Sequence, residues 1–597
     1  MFVKKYSNHL NIGTLVLCSL APALIAAAMT LGFVADPRNG LINPDSYMRL
    51  VRLRDMLDTH QTLSAVARDA SGGGTILHWS HLIDSLLVTL ATPLTLFMSP
   101  HDALQTAARA FGPMSAGAAG LAAAWAAAPF AERRWLVLAS SLPPLSPAIA
   151  SYDLIGVVHH HVLAAAVAVT AWGWAARILA RPAGYAGPVP AGLALGAWAG
   201  VGIWLTPETL PLTMMAFGGL GLAWILYPQR TDIARAIAAT GLAFLLVTGG
   251  ALLVDPPAAG LTATEFDRVS IVFAGLALAV AAAGCALLAA HRRCPHRPER
   301  AAAALAIAGN GLVAWAWYFK AALGDAVLFG DTPAQRTMFE YVTEMLPVRG
   351  LGGYQTYLLS GALTAALLIV LAWRRKSPIL GYAAGCAILL LLEGQAHVRF
   401  AAYPEMAGAA ALPIAITLAG KFADFRSARW RPAARLAALL LFLQAPVAGL
   451  LIPAFARTAE AADAVRVPAC RIQDGIPLLL SHPGAVIMAE VSDTPEILYG
   501  APVRTVGSLY HRNSAAFLRL NAAWRAAASA TVPPEVVATE ASHILLCKGP
   551  TRTPLVQDLP FMTLYDQLRT GNTPPWLRAV AENPVSGHVL YEIVGKS

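Results

Sequence analysis

The sequence predicts a polytopic α-helical membrane protein that carries a carboxyl-terminal soluble α/β domain. Hydrophobic residues fill 57% of the 597 positions and charged residues 13%, with a mean hydropathy of +0.56, a balance far from that of soluble domains. Apolar windows of about 20 residues, the length that crosses about 30 Å of hydrocarbon, recur along the first three quarters of the chain. Beyond about residue 456 the apolar runs shrink to strand length, as in Ala485-Val486-Ile487-Met488 and His543-Ile544-Leu545-Leu546, between Pro, Gly and charged turns. The expected division is therefore a membrane domain over 1–455 and an α/β domain over 456–597.

Thirteen windows are expected to span, near 13–34, 104–130, 135–150, 157–178, 189–206, 208–227, 234–254, 269–290, 301–319, 352–373, 378–393, 400–420 and 436–455. The first follows Lys4 and Lys5 like a signal peptide, but its apolar run is too long for one. With the amino terminus in the cytoplasm, the groups Arg133/Arg134, Arg177/Arg181, Arg230/Arg235, Arg292/Arg293/Arg297/Arg300, Arg374/Arg375/Lys376 and Lys421/Arg426/Arg429/Arg431/Arg435 all fall inside. Residues 35–103, the turns at Asp153 and Glu208, the loops near 255–268 and 320–351, and the carboxyl-terminal domain then lie outside. Cys470 and Cys547 share that outer domain; an oxidising compartment would let them pair, and the sequence leaves the pairing open. The net charge of +9 is dispersed as topology signals with no basic stripe, which argues against a nucleic-acid partner.

Ionisable residues at the edge of the bilayer are costly and mark candidate chemistry. Asp45 lies in Asn43-Pro44-Asp45-Ser46-Tyr47, ahead of Arg49 and Arg52, and the apolar spacing of Tyr47, Leu50, Leu53 and Leu57 predicts an interfacial amphipathic helix. Helix capping by Asp45 and snorkelling by the arginines are the plain alternatives. Asp153 precedes His159-His160-His161. Consecutive helical residues point about 100° apart, so at most two imidazoles are expected to share a site, and Asp153 with His160 forms a candidate divalent-metal half-site. Glu344 in the 320–351 loop and Glu208 in Thr206-Pro207-Glu208 are further carboxylates, and Glu208 also suits a helix amino end. Arg399 needs an anion: phosphate, or an ion pair with Glu393 or Glu405.

On these residues the chain resembles the catalytic subunit of oligosaccharyltransferase, of the GT-C glycosyltransferase superfamily. Pro44-Asp45-Ser46-Tyr47 is similar to that family's first-loop aspartate motif, Ala150-Ser151-Tyr152-Asp153 to its Gly-Ser-Tyr-Asp motif, and Tyr341-Val342-Thr343-Glu344 with Pro347 to its Ser-Val-Ser-Glu motif. The resemblance implies a divalent ion, Mn or Mg, held by Asp153, Glu344 and His160 beside a polyprenyl-linked sugar donor, with Asp45 catalytic and Arg399 contacting substrate. Two departures qualify it. Ile155 stands where the second motif carries another acid, and Met488-Ala489-Glu490-Val491-Ser492-Asp493-Thr494 replaces the Trp-Trp-Asp-Tyr-Gly segment that grips a sequon hydroxyl. The first means that a metal site must recruit His159 or His160, and the second argues against transfer to Asn-X-Ser/Thr. The segments His78-Trp79-Ser80 and Tyr510-His511-Arg512-Asn513 resemble a bacterial branch in which His511 and Arg512 are able to face the membrane site.

The implied protein is a multi-pass transferase of the bacterial inner membrane. It would move a sugar or oligosaccharide from a polyprenyl-phosphate or pyrophosphate carrier to a periplasmic lipid or envelope glycan, with a protein acceptor less favoured. Arg49, Arg52 and Glu208 complete the expected substrate contacts. A transporter or flippase of polyprenyl-linked or other anionic substrates is the rival. It would need ionisable residues at the bilayer midplane, where this chain is nearly all apolar.

Overall fold

The structure is a computed structural model that describes residues 11–33, 40–182, 184–327, 332–424, 428–444, 470–548 and 559–594. Lys4, Lys5, Arg426, the last part of the 436–455 window and the boundary at 456 lie outside the described residues. Among the described residues nine helices are long and apolar enough to cross a membrane: Ile12–Leu31, His161–Ala180, Pro188–Leu205, Pro207–Leu226, Thr231–Val254, Ile271–Ala290, Arg297–Tyr318, Pro378–Ala396 and Val398–Lys421. A pair of helices, Gly350–Tyr357 and Leu359–Arg375, bent by 63° at their junction, is together as long and apolar, as a broken span or a re-entrant loop would be. The chain is a polytopic helical membrane protein with a carboxyl-terminal α/β domain, as its composition predicts; that domain is called the outer domain after the side on which the charge pattern puts it.

Two expected spans take other forms. The 104–130 window is one helix, Pro100–Ala127, whose alanine and glycine face is buried. The 135–150 window crosses in pieces: a turn at Arg133–Trp135, helix Leu136–Ser141, a turn at Pro143–Leu145 and helix Pro147–Ala150. Pro143, Pro144 and Pro147 lack the backbone N–H that a continuous helix needs. The broken segment still spans the bundle beside Ile12–Phe33. At one end Arg133 donates to Thr14 Oγ1 at 2.8 Å, and at the other the Ile155 N–H donates to Thr30 Oγ1 at 2.9 Å. Sixteen helical residues separate the two threonines, about 24 Å. Gly120 allows this packing, because a Cβ there would strike the Ser140 carbonyl and the Pro22 ring.

The predicted interfacial helix is buried instead. Helix α1, as we label Pro44–Thr59, has Ser46 through Leu53 buried, and Tyr47 meets the ring of Tyr499 from the outer domain at 5.3 Å. The amphipathic pattern faces protein on both sides, because the carboxyl-terminal domain covers what lipid headgroups were expected to contact. A short apolar helix, α2 (Leu82–Ala91), follows in the same loop.

The outer domain holds a five-stranded mixed sheet. Strands β1 (Val486–Met488), β2 (Arg504–Thr505), β3 (His543–Cys547), β4 (Leu577–Asn583) and β5 (His588–Ile593) lie in the order β2-β1-β3-β5-β4. The first three pair in parallel and β5 runs antiparallel to both neighbours. A disulfide joins Cys470 to Cys547, with the Cα atoms 5.9 Å apart. Met338 from the 320–351 loop enters this domain's core beside Phe517, and the Tyr341 ring lies 5.7 Å from that of Phe517.

Candidate active site

The site begins with how the sequence starts α1. Asn43 caps the helix: its Oδ1 accepts from the Ser46 N–H at 2.8 Å and from the Ser46 hydroxyl, and Pro44 takes the first turn, where no N–H is needed. Asp45 is therefore not the cap, and its carboxylate is left for other work. Ser46 Oγ also accepts from the Val158 N–H at 2.8 Å, which draws the histidine run to the start of α1. His159 Nε2 then meets Asp45 Oδ2 at 2.9 Å.

All three histidines face one place. His159 and His160 lie before the helix and His161 is its first residue, so the 100° rule for helical neighbours does not apply. Their rings pack at centroid distances of 4.8, 4.3 and 4.3 Å, and one ligand atom from each falls within 4.8 Å of the others. This corrects the expectation that at most two converge.

Two carboxylates and a guanidinium close the other side. Arg399 donates to Glu208 Oε1 at 2.5 Å and to His161 Nε2 at 3.2 Å, and lies 3.6 Å from Glu344. His161 stands 3.7 Å from Glu208 and 3.8 Å from Glu344. Glu344 is brought in because its loop is laced to the turn before Arg399: the Val398 N–H donates to the Leu346 carbonyl at 3.0 Å and His397 Nδ1 to the Met345 carbonyl at 2.7 Å. The Tyr152 hydroxyl bonds to Glu344, with its ring 4.9 Å from His159 and 4.8 Å from His161. Arg399 thus takes Glu208 and Glu344 as partners, not Glu393 or Glu405; Glu405 accepts from the Ala148 N–H at 3.0 Å.

Burial pushes the Glu344 carboxyl up, but His161 and Arg399 outweigh it and hold Glu344 well below the usual range, hence ionised. Burial, then the neighbouring imidazoles, push His160 down, hence neutral. Asp45, Glu208 and Glu344 against the single guanidinium of Arg399 leave negative charge uncompensated. The buried atoms His159 Nδ1 and Glu208 Oε2 have no hydrogen-bond partner among the described residues. Neutral imidazoles, excess carboxylate charge and orphaned donor atoms suit a divalent cation, and nitrogen ligands favour a transition ion such as Mn or Zn over Mg.

Asp153 does not join them. It is fully buried, neither carboxylate oxygen has a hydrogen-bond partner among the described residues, and burial raises it well above the usual range, so it is neutral. Its backbone packs so closely on Gly112 that a Cβ there would strike the Asp153 and Leu154 carbonyls. The preceding residue, Tyr152, is the one that reaches the site.

Other expected substrate contacts are engaged internally. Arg49 and Arg52, at 2% and 0% exposure, pair with Asp84 of α2 at 2.7 and 2.5 Å, and Arg49 stacks on Trp79 at 4.6 Å. Arg512 pairs with Glu265 at 2.6 Å and Asp267 at 2.5 Å, and His511 with Asp267 at 2.7 Å.

A narrow cleft is lined by His160 together with His78, Trp79, Ser80, Trp204, Thr206 and Arg268 among others. Arg268 is 1% exposed; its Nη2 meets Asp255 at 2.7 Å, while its Nε and Nη1, like His78 Nδ1, have no partner among the described residues. Unsatisfied buried donors of this kind suit an anion. Sequence reasoning missed Arg268, because a single arginine in a loop carries no signal of its surroundings.

No protein-family model matches the chain, and no curated protein matches it. Among solved structures it is similar to the archaeal oligosaccharyltransferase AglB from Archaeoglobus fulgidus in complex with an inhibitory peptide and a dolichol-phosphate. That match has a TM-score of 0.67 at 13% identity, covering 89% of this chain and 69% of that one. The chain has the oligosaccharyltransferase fold. The A. fulgidus oligosaccharyltransferase complex with Zn and sulfate matches with a TM-score of 0.65 at 12% identity, over 89% of this chain and 67% of that one. The form tethered to an acceptor peptide with the NVT sequon matches equally, 0.65 at 12%, over 90% and 69%. The GT-C resemblance read from Pro44-Asp45-Ser46-Tyr47, Ser151-Tyr152-Asp153 and Thr343-Glu344 is borne out in the fold.

Proposed function

We propose that this chain is a membrane glycosyltransferase that moves a sugar or oligosaccharide from a polyprenyl-phosphate or pyrophosphate carrier to a lipid or envelope-glycan acceptor on the periplasmic face of the bacterial inner membrane. The observation that carries the reading is the continuous polar network Asp45–His159–His161–Glu344/Glu208–Arg399, gathered at one end of an oligosaccharyltransferase-type bundle. Asp45, 34% exposed, takes the acceptor hydroxyl's proton or orients it toward the donor. Arg268 and His78 receive the carrier's phosphate in the cleft beside His160. Dolichol-phosphate in AglB, and sulfate in the A. fulgidus enzyme, support a phosphate carrier as the donor.

His159, His160, His161, Glu344 and Glu208 would hold a divalent ion, Mn or Zn by their chemistry. Bound there, such an ion supplies positive charge to the departing phosphate. Glu490 bonds to Tyr565 at 2.6 Å in the place of the sequon-gripping segment, which supports a glycan or lipid acceptor over an Asn-X-Ser/Thr protein. A transporter reading is weaker, since the charges of the network sit at one end of the bundle.

Deletion of the gene tests the reading, followed by mass spectrometry of polyprenyl-linked glycans and envelope glycolipids. A polyprenyl-linked sugar should accumulate at least several-fold while one glycolipid or glycan loses a sugar unit. Unchanged profiles in both pools would refute it.

A further inference from the structure

Asp45 carries hydrogen bonds on both carboxylate oxygens, and they come from different parts of the chain. Oδ2 faces His159 of the membrane domain at 2.9 Å, and Oδ1 accepts from the hydroxyl of Tyr510 at 3.0 Å. Tyr510 belongs to the outer domain, 465 residues away in sequence, and is 5% exposed. Its ring stands edge-on to Trp79 at 5.3 Å, and the Arg49 guanidinium lies over the Trp79 ring at 4.6 Å.

The segment that carries Tyr510 is bolted to the first outer loop. Asp69, fully buried, accepts from Thr75 at 2.6 Å in its own loop, and from Thr505 at 3.0 Å and Ser508 in the outer domain. The Thr505 N–H donates to the Arg68 carbonyl at 3.0 Å, and Asn513 Nδ2 to the Gly74 carbonyl at 3.2 Å and Thr75 Oγ1 at 3.1 Å. Residues 505 to 513 are therefore held at both ends, with Tyr510 between them. A carboxylate with one fixed bond can still swing about Cβ–Cγ; with one on each oxygen, its plane is set.

We infer that Tyr510 is a positioning residue: its hydroxyl, delivered by the carboxyl-terminal domain, fixes the carboxylate plane of Asp45, so that the outer domain completes the catalytic geometry of the membrane domain. This rests on the transferase reading for its kinetic consequence but not for the contact itself. Orientation of a catalytic group affects turnover more than substrate binding, because a group displaced by a fraction of an ångström still lets the donor bind. The buried Arg49–Asp84–Arg52 cluster acquires a role here: Arg49 packs on Trp79, which packs on Tyr510.

The test uses the full-length protein in detergent with tyrosine labelled at 13Cζ. The Tyr510 resonance is assigned by its loss in Tyr510→Phe, a change that keeps the ring against Trp79. In Asp45→Asn that resonance should move, because the hydroxyl loses a charged acceptor; an unmoved resonance overturns the proposal whatever the enzyme does. Turnover is then measured on the polyprenyl-linked glycan fraction extracted from the deletion strain. Tyr510→Phe should lower kcat about 10- to 100-fold, the range of a hydrogen bond to a charged group, with KM within about two-fold. In the Asp45→Asn background it should add no further loss. Wild-type kcat in Tyr510→Phe, alongside an inactive Asp45→Asn, defeats the positioning role and leaves the transferase reading standing. Full activity in Asp45→Asn removes Asp45, and with it the kinetic role of Tyr510, from the mechanism; no turnover by the parent protein defeats the transferase reading, while the resonance still reports on the contact.

Discussion

Asp45 is available for the role proposed for it because Asn43 relieves it of capping. A helix that begins Asn-Pro-Asp offers two side chains to the first turn, and the asparagine's bonds to the Ser46 amide and hydroxyl leave the aspartate 34% exposed beside His159. Asp45→Asn should therefore cut transfer by about 10²- to 10⁴-fold, the usual worth of a general base. Thermal stability in detergent should fall by no more than about 1–2 kcal/mol, since the amide oxygen still accepts from Tyr510 and the Asn43 cap of the helix is untouched. Turnover of the polyprenyl-linked fraction and a melting curve check the two halves; a large stability loss would make Asp45 structural. Asp153 is the opposite case. Its sequence setting, an acid beside three histidines, is as suggestive as that of Asp45, yet the chain turns on Gly112 so that Tyr152 enters the site and Asp153 is buried away from it.

The paired elements α1 and α2 are held by a carboxylate between two guanidiniums. Arg49, Arg52 and Asp84 are almost wholly buried, and the two arginines override the effect of burial to keep Asp84 below the usual carboxylate range. Asp84→Asn would leave two buried positive charges facing each other. It should cost about 3–5 kcal/mol, the loss seen when one member of a buried ion cluster is removed, read from denaturation in detergent. Replacing Arg49, Arg52 and Asp84 together with apolar residues of similar volume should recover most of that loss. The arginine spacing in Met48-Arg49-Leu50-Val51-Arg52 was legible as a charged face, but its partner was not. Asp84 sits in an apolar segment, Leu82–Ala91, that gives no sign of packing against α1.

At the scale of the whole molecule, the outer domain and the outer loops of the membrane domain form one assembly. Asp69 joins loop to domain on one side, and Asp267 with Glu265 joins loop to Arg512 and His511 on the other. Burial pushes the Asp267 carboxyl up, but His511 and Arg512 outweigh it and hold it well below the usual range. A depressed acid stabilises the folded state fully above its unfolded value of about 3.9, and that stabilisation is lost as pH falls through the folded value. The gap in unfolding free energy between the parent and Asp267→Asn should therefore be no smaller at pH 5 than at pH 8, at about 3 kcal/mol, and narrow only below about pH 4. A gap that shrinks between pH 8 and pH 5 would contradict the assigned pair.

Composition and periodicity determined by themselves that this is a many-spanning helical protein with an outer α/β domain, because hydrophobic length and the change to strand-length runs are local properties that any stretch of chain displays. They also singled out Asp45, Glu344, Glu208, Arg399 and the histidine run, since a charge at a membrane edge is costly wherever it appears. Only the tertiary structure decided which of those side chains meet. It placed all three imidazoles together, left Asp153 aside, turned Arg49, Arg52 and Arg512 inward, and brought Tyr510 and Arg268 to the site from distant sequence. Contacts across hundreds of residues depend on how elements pack and which charges find partners, and neither is written in the residues flanking each one.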